Sequence, residues 1–271
     1  MTNQIIPSVK RRQIIELAES GKRMDGRSLT DLRKVEIKTN IVEKAEGSAT
    51  VKFGDTYVIA GVKFEIGEPF PDTPNEGVMS VSAEFVPLAS PGFETGPPDE
   101  NAIELARVVD RGLRESKLLD TSKLCLIPGK KVWIAWVDIF ILDHCGNLID
   151  ASSLASLCAL LTSKLPKAEV VGDEVKVLDE YVPVPLRAIP INVTLAKIGD
   201  KLFVDPSLEE EEVMDCRLSV AFALDDQKQE KICAMQKGGV GTLSFEELLR
   251  AVEIAKVKSQ ELRKLLPSGE K

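Results

Sequence analysis

The feature that most restricts the fold is an apolar run at residues 132–142, which only Asp138 interrupts. Its valine, isoleucine and aromatic residues favour an extended strand, and a nearly continuous apolar run is typical of a strand in the middle of a sheet. A membrane helix needs about 20 apolar residues, so this run is too short to cross a bilayer. The sequence therefore predicts a globular protein built on a sheet with this central strand.

Shorter strands are predicted on the N-terminal side of the central strand. Residues 49–53 and 56–63 flank a Gly54-Asp55 turn, and this arrangement predicts a β-hairpin. Residues 78–86 alternate apolar and polar side chains, which indicates a strand with one buried face. These segments extend the predicted sheet.

Helical periodicity marks four segments of the chain. Three of them are residues 8–20, 101–118 and 153–165. The fourth is residues 244–266, where Ser244 is followed three positions later by Glu247. This spacing predicts a capping box, in which each of the two residues satisfies a backbone N–H group of the other.

Strands followed by helices occur twice along the 271 residues, since further short strands are predicted near residues 191–196, 202–204, 218–224 and 231–236. This order predicts an α+β fold of two sub-domains, each a sheet packed against helices. The predicted organisation is an N-terminal helix and extension (1–28), a first domain (29–166), a charged and then proline-rich connecting segment (167–190), and a second domain with the C-terminal helix (191–271).

The composition excludes several classes of protein. The five cysteines form no CxxC pair, which argues against a zinc site or a disulfide framework and favours a reducing, cytoplasmic location. The single histidine, His144, excludes a multi-histidine metal centre. We expect no signal peptide and no membrane association. Because the net charge is −8, any contact with nucleic acid requires a local basic patch.

Such a basic patch is predicted on the helix at residues 101–118. Arg107, Arg111 and Arg114 are spaced so that one helix face carries three guanidinium groups, each able to bind a phosphate through two hydrogen bonds. Three acidic residues lie on the same helix: Glu104, Asp110 and Glu115. The spacing therefore leaves two interpretations open, phosphate binding or surface ion pairs.

A run of acidic residues lies at residues 209–215. Carboxylates are the ligands that Mg²⁺ prefers, but acidic residues are also favoured in the first turn of a helix. We expect the helical turn rather than a metal site. Arg217 follows directly, and we expect it to pair with one of these acids. His144 and its neighbour Cys145 are expected to be structural.

Five segments, in the order in which they occur, resemble the RNase PH family. They are residues 21–27, 47–56, 96–101, 104–111 and 146–151, with the sequences GKRMDGR, GSATVKFGDT, GPPDEN, ELARVVDR and GNLIDA. Within the family, the chain is most similar to the non-catalytic type of archaeal exosome ring subunit. The resemblance extends over roughly residues 20–260.

The resemblance implies a place in a phosphorolytic complex, in which inorganic phosphate attacks the 3′-terminal phosphodiester of RNA. A catalytic and a non-catalytic subunit form a pair, three pairs close into a hexameric ring, and RNA-binding cap subunits join it. Arg107 and Arg111 match positions where the non-catalytic subunit holds single-stranded RNA at the pair interface. Whether Arg114 also binds RNA remains open.

Departures from the active pattern imply that this chain has lost catalysis. Active members carry arginines at the positions of residues 100–102, a phosphate-binding turn at residues 147–149, and an essential aspartate at the position of Arg217. Glu211 lies upstream of Arg217 and cannot simply substitute for that aspartate. The resemblance therefore implies no catalytic residue, no metal and no cofactor in this chain.

Two alternatives remain open. The first is a phosphorolytic exoribonuclease that is active by itself through the acids at residues 209–215 with Mg²⁺. The second is an assembly scaffold that makes no contact with RNA.

Overall fold

The computed structural model describes residues 8–224 and 229–267. The predicted α+β class is confirmed, because two larger sheets pack with helices. The helices are α1 (Ser8–Glu19), α2 (Glu100–Glu115), α3 (Leu148–Leu161), α4 (Leu208–Val213) and α5 (Phe245–Arg263). The strands are β1 (Val35–Thr39), β2 (Gly47–Phe53), β3 (Thr56–Gly67), β4 (Val78–Phe85), β5 (Cys125–Ile127), β6 (Lys131–Asp143), β7 (Lys164–Val171), β8 (Glu174–Pro183), β9 (Ile189–Ile198), β10 (Lys201–Val204), β11 (Cys216–Leu224) and β12 (Glu230–Gly238).

Strand β6 is the predicted central strand of the first sheet, whose order is β1-β2-β3-β6-β4. It pairs antiparallel with β3 on one side and parallel with β4 on the other. Alternate β6 residues such as Val137 and Ile139 are fully buried, whereas Trp136 and Phe140 are each 37% exposed. The sheet therefore has one face against the core and one face partly open to solvent.

Helices α2 and α3 form the layer between the two larger sheets. Helix α3 contacts β2 and β3 of the first sheet and β9 of the second, whose order is β10-β9-β11-β12. Helix α2 contacts β4 and β12 in the same way, and α5 packs against β9 and β11. A single cluster of buried apolar residues joins both sheets to these helices, so the two halves of the chain share one core.

The limits predicted for the third helix are wrong. The prediction was residues 153–165, but α3 begins at Leu148 and ends at Leu161, and Leu165 pairs with Val182 in a β-hairpin. The helix is buried on nearly all sides, so no polar face marks its first turns in the sequence. Asn147 is its N-cap residue and has a left-handed conformation with φ 55°, which ends the preceding turn.

Most of the predicted connecting segment, residues 167–190, belongs to the hairpin of β7 and β8.

The predicted capping box of the last helix is confirmed: the Ser244 hydroxyl accepts a hydrogen bond from the Glu247 N–H at 3.2 Å, and Glu247 accepts one from the Ser244 N–H at 2.7 Å. Helix α1 packs Ile14 and Ala18 against the second sheet. Residues 1–7 of the predicted extension and 268–271 of the predicted second domain lie outside the described residues.

No helix among the described residues is both long enough and apolar enough to span a membrane.

Candidate RNA-binding face and adjacent cleft

Helix α2 directs its arginines to solvent because its other side is apolar. The Asp99 carboxylate accepts a hydrogen bond from the Ala102 N–H at 2.8 Å and so fixes the first turn. Leu105, Val109 and Leu113 are buried in the core. The exposed side carries the predicted basic patch of Arg107, Arg111 and Arg114.

The three arginines differ in their contacts. Arg114 forms an ion pair with Asp110 at 2.7 Å and donates a hydrogen bond to the Met79 carbonyl at 2.8 Å. Within the described part of the chain, the side chains of Arg107 and Arg111 form no hydrogen bond and no ion pair. The ion-pair interpretation therefore fits Arg114, whereas Arg107 and Arg111 keep their guanidinium groups available for a ligand.

The partner predicted for Arg217 is wrong. Its Nη2 lies 2.5 Å from Glu104 Oε1, so it pairs with an acid of α2 rather than with the acidic run. Gln236 on β12 also donates a hydrogen bond to Glu104 Oε1, at 3.4 Å. The cause is the tertiary packing: α2 contacts β12, and the last residues of β12 pair with the first residues of β11, where Arg217 lies.

The acidic run begins with a short helix, α4. Ser207 and Glu210 make a capping box that starts α4, as the helical interpretation predicts. Glu210 is buried in an ion pair with Arg23, and Asp215 pairs with Arg11 at 2.7 Å. Among the described residues, no group of three or more His, Cys, Asp or Glu side chains could hold a metal ion. The acids are thus directed to separate partners.

Glu211 occupies the N-terminus of α3. Its Oε1 accepts a hydrogen bond from the backbone N–H of Asn147 at 2.8 Å, and such helix termini favour a negative charge. An internal carboxylate therefore occupies the N-terminus of α3, a position at which backbone N–H groups can bind an anion. Burial raises the pKa of Glu211 to about 7, although the Asn147 hydrogen bond and the charge of Arg217 oppose the shift.

Glu211, Glu104 and Arg217 line a cleft of about 280 Å³. His144 also lines it, and its ring stacks on Phe93 with centroids 5.4 Å apart and an angle of 14° between the planes. Burial lowers the pKa of His144, which favours the neutral imidazole at neutral pH. The cleft therefore offers no cation that is not already balanced by a neighbouring acid.

A buried polar network beside the cleft joins distant parts of the chain. Asp205 accepts hydrogen bonds from Arg33 Nη2 at 2.7 Å, Asn147 Nδ2 at 2.8 Å and Arg27 Nη1 at 3.1 Å. Burial alone would raise the pKa of Asp205, but the hydrogen bonds and charge of Arg33 hold it below its usual value. Sequence reasoning missed this network, although the arginines of residues 23–33 were a visible signal.

A second buried carboxylate, Asp150, links α3 to the second sheet. It accepts hydrogen bonds from the N–H and the hydroxyl of Thr194, each at 2.8 Å, and from Asn192 at 2.9 Å. Burial raises its pKa to about 6 despite these hydrogen bonds. With Asp205, it places the start of α3 at a fixed position relative to β9.

The pH dependence of stability tests the environment of Glu211. Its pKa of about 7 in the folded protein lies above the ordinary value of 4.5. Between these pH values the folded state binds more protons than the unfolded state, so the free energy of unfolding falls as the pH rises. Glu211→Gln removes this titration and keeps an oxygen for the Asn147 N–H. We expect this variant to gain stability relative to the wild type between about pH 5 and pH 8.

Denaturant unfolding at each pH measures this difference. Asp150 titrates in both proteins, so its contribution cancels. A difference in the free energy of unfolding that does not change with pH would contradict the assignment of a raised pKa to Glu211.

Two family models match most of the chain. The model of domain 1 of the RNase PH, or 3′ exoribonuclease, family matches residues 31–166. The model of domain 2 of the same family matches residues 188–258.

Curated relatives match over nearly their full length. The exosome complex component Rrp42 of Thermococcus kodakarensis is 53% identical over 263 residues, which cover 96% of this chain and 95% of the relative. The protein of the same name from Methanopyrus kandleri is 46% identical over 265 residues, which cover 97% of this chain and 98% of the relative.

Solved structures share the fold. A chain in the structure of the Archaeoglobus fulgidus exosome with RNA bound to the active site matches with a TM-score of 0.86 and 47% identity, covering 94% of this chain and 97% of that chain. A chain of an archaeal exosome core matches with a TM-score of 0.83 and 43% identity, covering 97% and 98%. Because the family models, the relatives and the fold agree, this chain belongs to the RNase PH family of 3′ exoribonucleases.

Proposed function

We propose that this chain is a non-catalytic structural subunit of an archaeal exosome, a phosphate-dependent complex that degrades RNA from the 3′ end. It pairs with a catalytic RNase PH-like subunit, helps to structure that subunit's active site, and contributes Arg107 and Arg111 to RNA binding. One contrast carries the proposal: in the cleft, Glu104 pairs with Arg217 and Glu211 occupies the helix terminus, whereas the two arginines of α2 are exposed and have no partner among the described residues. The relatives named as exosome components support it.

The chemistry of phosphorolysis supports the absence of catalysis. The reaction needs cations that hold phosphate and RNA, together with a carboxylate that binds a metal ion or handles a proton. In this cleft, Glu104 balances the charge of Arg217, and Glu211 occupies the helix terminus where an anion would bind. A phosphate ion would meet a carboxylate at the position where it needs a cation.

The spacing of the arginines supports the contact with RNA. Residues four positions apart on a helix have Cβ atoms about 5–6 Å apart, so Arg107 and Arg111 can bind neighbouring phosphodiesters of one strand. Guanidinium groups bind phosphate oxygens through pairs of charge-assisted hydrogen bonds. Two local cations directed at one strand can act in this way despite the net charge of −8.

The assembly is part of the same proposal. Three pairs of this chain and the catalytic subunit close into a hexameric ring in the cytoplasm, and RNA-binding cap subunits join the ring. Arg107 and Arg111 then face the RNA that enters the active site of the partner.

A phosphorolysis assay tests the loss of catalysis. We expect the purified chain with phosphate and single-stranded RNA to release no nucleoside diphosphates, because Glu104 already pairs with Arg217 in its cleft and leaves no unpaired cation there for phosphate. Mixing with the catalytic subunit should give phosphate-dependent release from the 3′ end at a higher rate than that subunit gives alone. Thin-layer chromatography of labelled products measures both. Phosphate-dependent release by this chain alone would overturn the proposal and favour the acidic site as an active centre.

A further inference from the structure

Glu104 lies within reach of one of the proposed RNA-binding arginines. It precedes Arg107 by three positions on α2, a spacing at which a glutamate and an arginine form an ion pair on a helix surface. The structure shows a different partner, because Glu104 Oε1 lies 2.5 Å from Arg217 Nη2 on the neighbouring strand. The carboxylate is therefore directed away from Arg107.

The neighbouring strand β12 leaves space for the side chain of Arg217. Arg217 on β11 pairs with Gly238 on β12, and the guanidinium lies across this glycine. A Cβ atom at position 238 would lie 2.9 Å from Cζ of Arg217. The side chain of Arg217 is only 20% exposed, whereas that of Glu104 is 43% exposed. Gly238 thus leaves the space that lets the guanidinium reach Glu104.

We propose that Arg217 is a positioning residue for RNA binding, which holds Glu104 and so keeps Arg107 free for a phosphodiester. This inference rests on the proposed function of Arg107 and Arg111. It gives Arg217, whose ion pair with Glu104 the sequence did not predict, a role in the binding of RNA.

Two physical effects follow from the loss of Arg217. The freed carboxylate of Glu104 can turn to Arg107 and compete with RNA for its guanidinium group. The negative charge of Glu104 also lies close to the bound RNA and repels its phosphodiesters, because solvent screens a charge at a partly exposed site only in part. Both effects need Glu104 to be charged, so both disappear when Glu104 is replaced by glutamine.

A double-mutant cycle in the assembled complex tests the inference. Fluorescence anisotropy with a labelled single-stranded RNA measures affinity at several salt concentrations. We expect Arg217→Gln to weaken binding by about three- to tenfold at low salt, because it unmasks one carboxylate beside the strand. We expect Arg217→Lys, which keeps the charge, to bind more tightly than Arg217→Gln. The double variant Glu104→Gln/Arg217→Gln should bind RNA within about twofold of the wild type. Without a charge at position 104, the loss of Arg217 has no further effect on Arg107 or on the RNA, so the two substitutions are not additive.

The rescue separates positioning from other roles. A double variant that binds as weakly as Arg217→Gln would overturn the inference, because Arg217 would then contact RNA itself. Unchanged affinity of Arg217→Gln would overturn it as well. If Arg217→Gln does not assemble, Gly238→Ala displaces the guanidinium without removing it, and we expect the same loss and the same rescue by Glu104→Gln. Gel filtration of each complex reports assembly.

The same assay distinguishes a failure of the inference from a failure of the proposed function. The RNA affinity of the variant Arg107→Glu/Arg111→Glu is measured in the same assay. If that variant binds RNA normally, the proposed RNA contact is wrong. If it loses binding while Arg217→Gln keeps full affinity, only the role of Arg217 is wrong.

Discussion

Replacing Arg107 and Arg111 together by glutamate is expected to weaken RNA binding by the assembled complex by about a hundredfold or more. A hydrogen bond to a charged group contributes about 1.5–3 kcal/mol, and two such contacts are lost while two repulsive charges are added. We expect the ring still to assemble, because the proposal assigns both side chains to RNA and neither contacts another described residue of this chain through a hydrogen bond or an ion pair. We therefore expect the substitutions to lower the affinity for RNA and to leave the fold unchanged.

Fluorescence anisotropy over a range of salt concentrations measures this loss. Each phosphate contact to a single strand contributes about 0.7 to the slope of log affinity against log salt, so the slope should become shallower by about 1.4. Arg12→Glu/Arg250→Glu makes the same change in charge on α1 and α5, and it is expected to leave RNA affinity and slope nearly unchanged. If the α2 variant binds RNA like the wild type, the chain is a scaffold that does not contact RNA.

The arginine face could be predicted because it depends on one helix alone. The spacing of Arg107 and Arg111 fixes their relative position once the segment is helical, and local periodicity is sufficient to show that. The capping box of Ser244 and Glu247 was predictable for the same reason. The domain limits of 29–166 and 191–271 stay predictions, since the two sheets share one core.

The contact of Arg217 with Glu104 could not be predicted in the same way. The two residues are 113 positions apart, and their contact depends on the packing of α2 against β12, which pairs with β11. In the sequence, the acids at residues 209–215 are closer to Arg217, so proximity along the chain favoured the wrong partner. Only the tertiary structure brings Glu104 next to Arg217 on β11.

The start of α3 was missed for a different physical reason. A helix buried on nearly all sides has no polar face, so hydrophobic periodicity cannot locate its first turn. The sequence signal that remained was Gly146-Asn147, two residues with positive φ at the boundary. The N–H of Asn147 and its side chain are held by Glu211 and Asp205, which come from the second half of the chain.

The largest effect on stability is expected for Asp205. Its side chain is fully buried between Arg33 and Arg27, whose side chains are only 11% and 14% exposed. Asp205→Ala leaves the nearly buried guanidinium group of Arg33 without its carboxylate, whereas Arg27 keeps its ion pair with Asp25. Removing one partner of a buried ion pair costs about 3–5 kcal/mol. We expect the free energy of unfolding to fall by about that amount at neutral pH, as measured by denaturant unfolding.

The pH dependence and two control variants identify the cause of this loss. The pKa of Asp205 is held below its usual value of 3.8 in the folded protein, so its stabilising effect is present above that pH and is lost as the pH falls further. The difference in the free energy of unfolding between Asp205→Ala and the wild type should therefore shrink in acid.

Asp205→Asn keeps the shape of the side chain and tolerates the φ of 50° at this position, so it should lose less stability than Asp205→Ala. Asp200→Ala, in the exposed turn before β10, should change stability by no more than about 0.5 kcal/mol. Because Asp205 joins residues 27 and 33 to the turn before α3, a wild-type unfolding midpoint for Asp205→Ala would mean that this network adds nothing measurable to the free energy of unfolding.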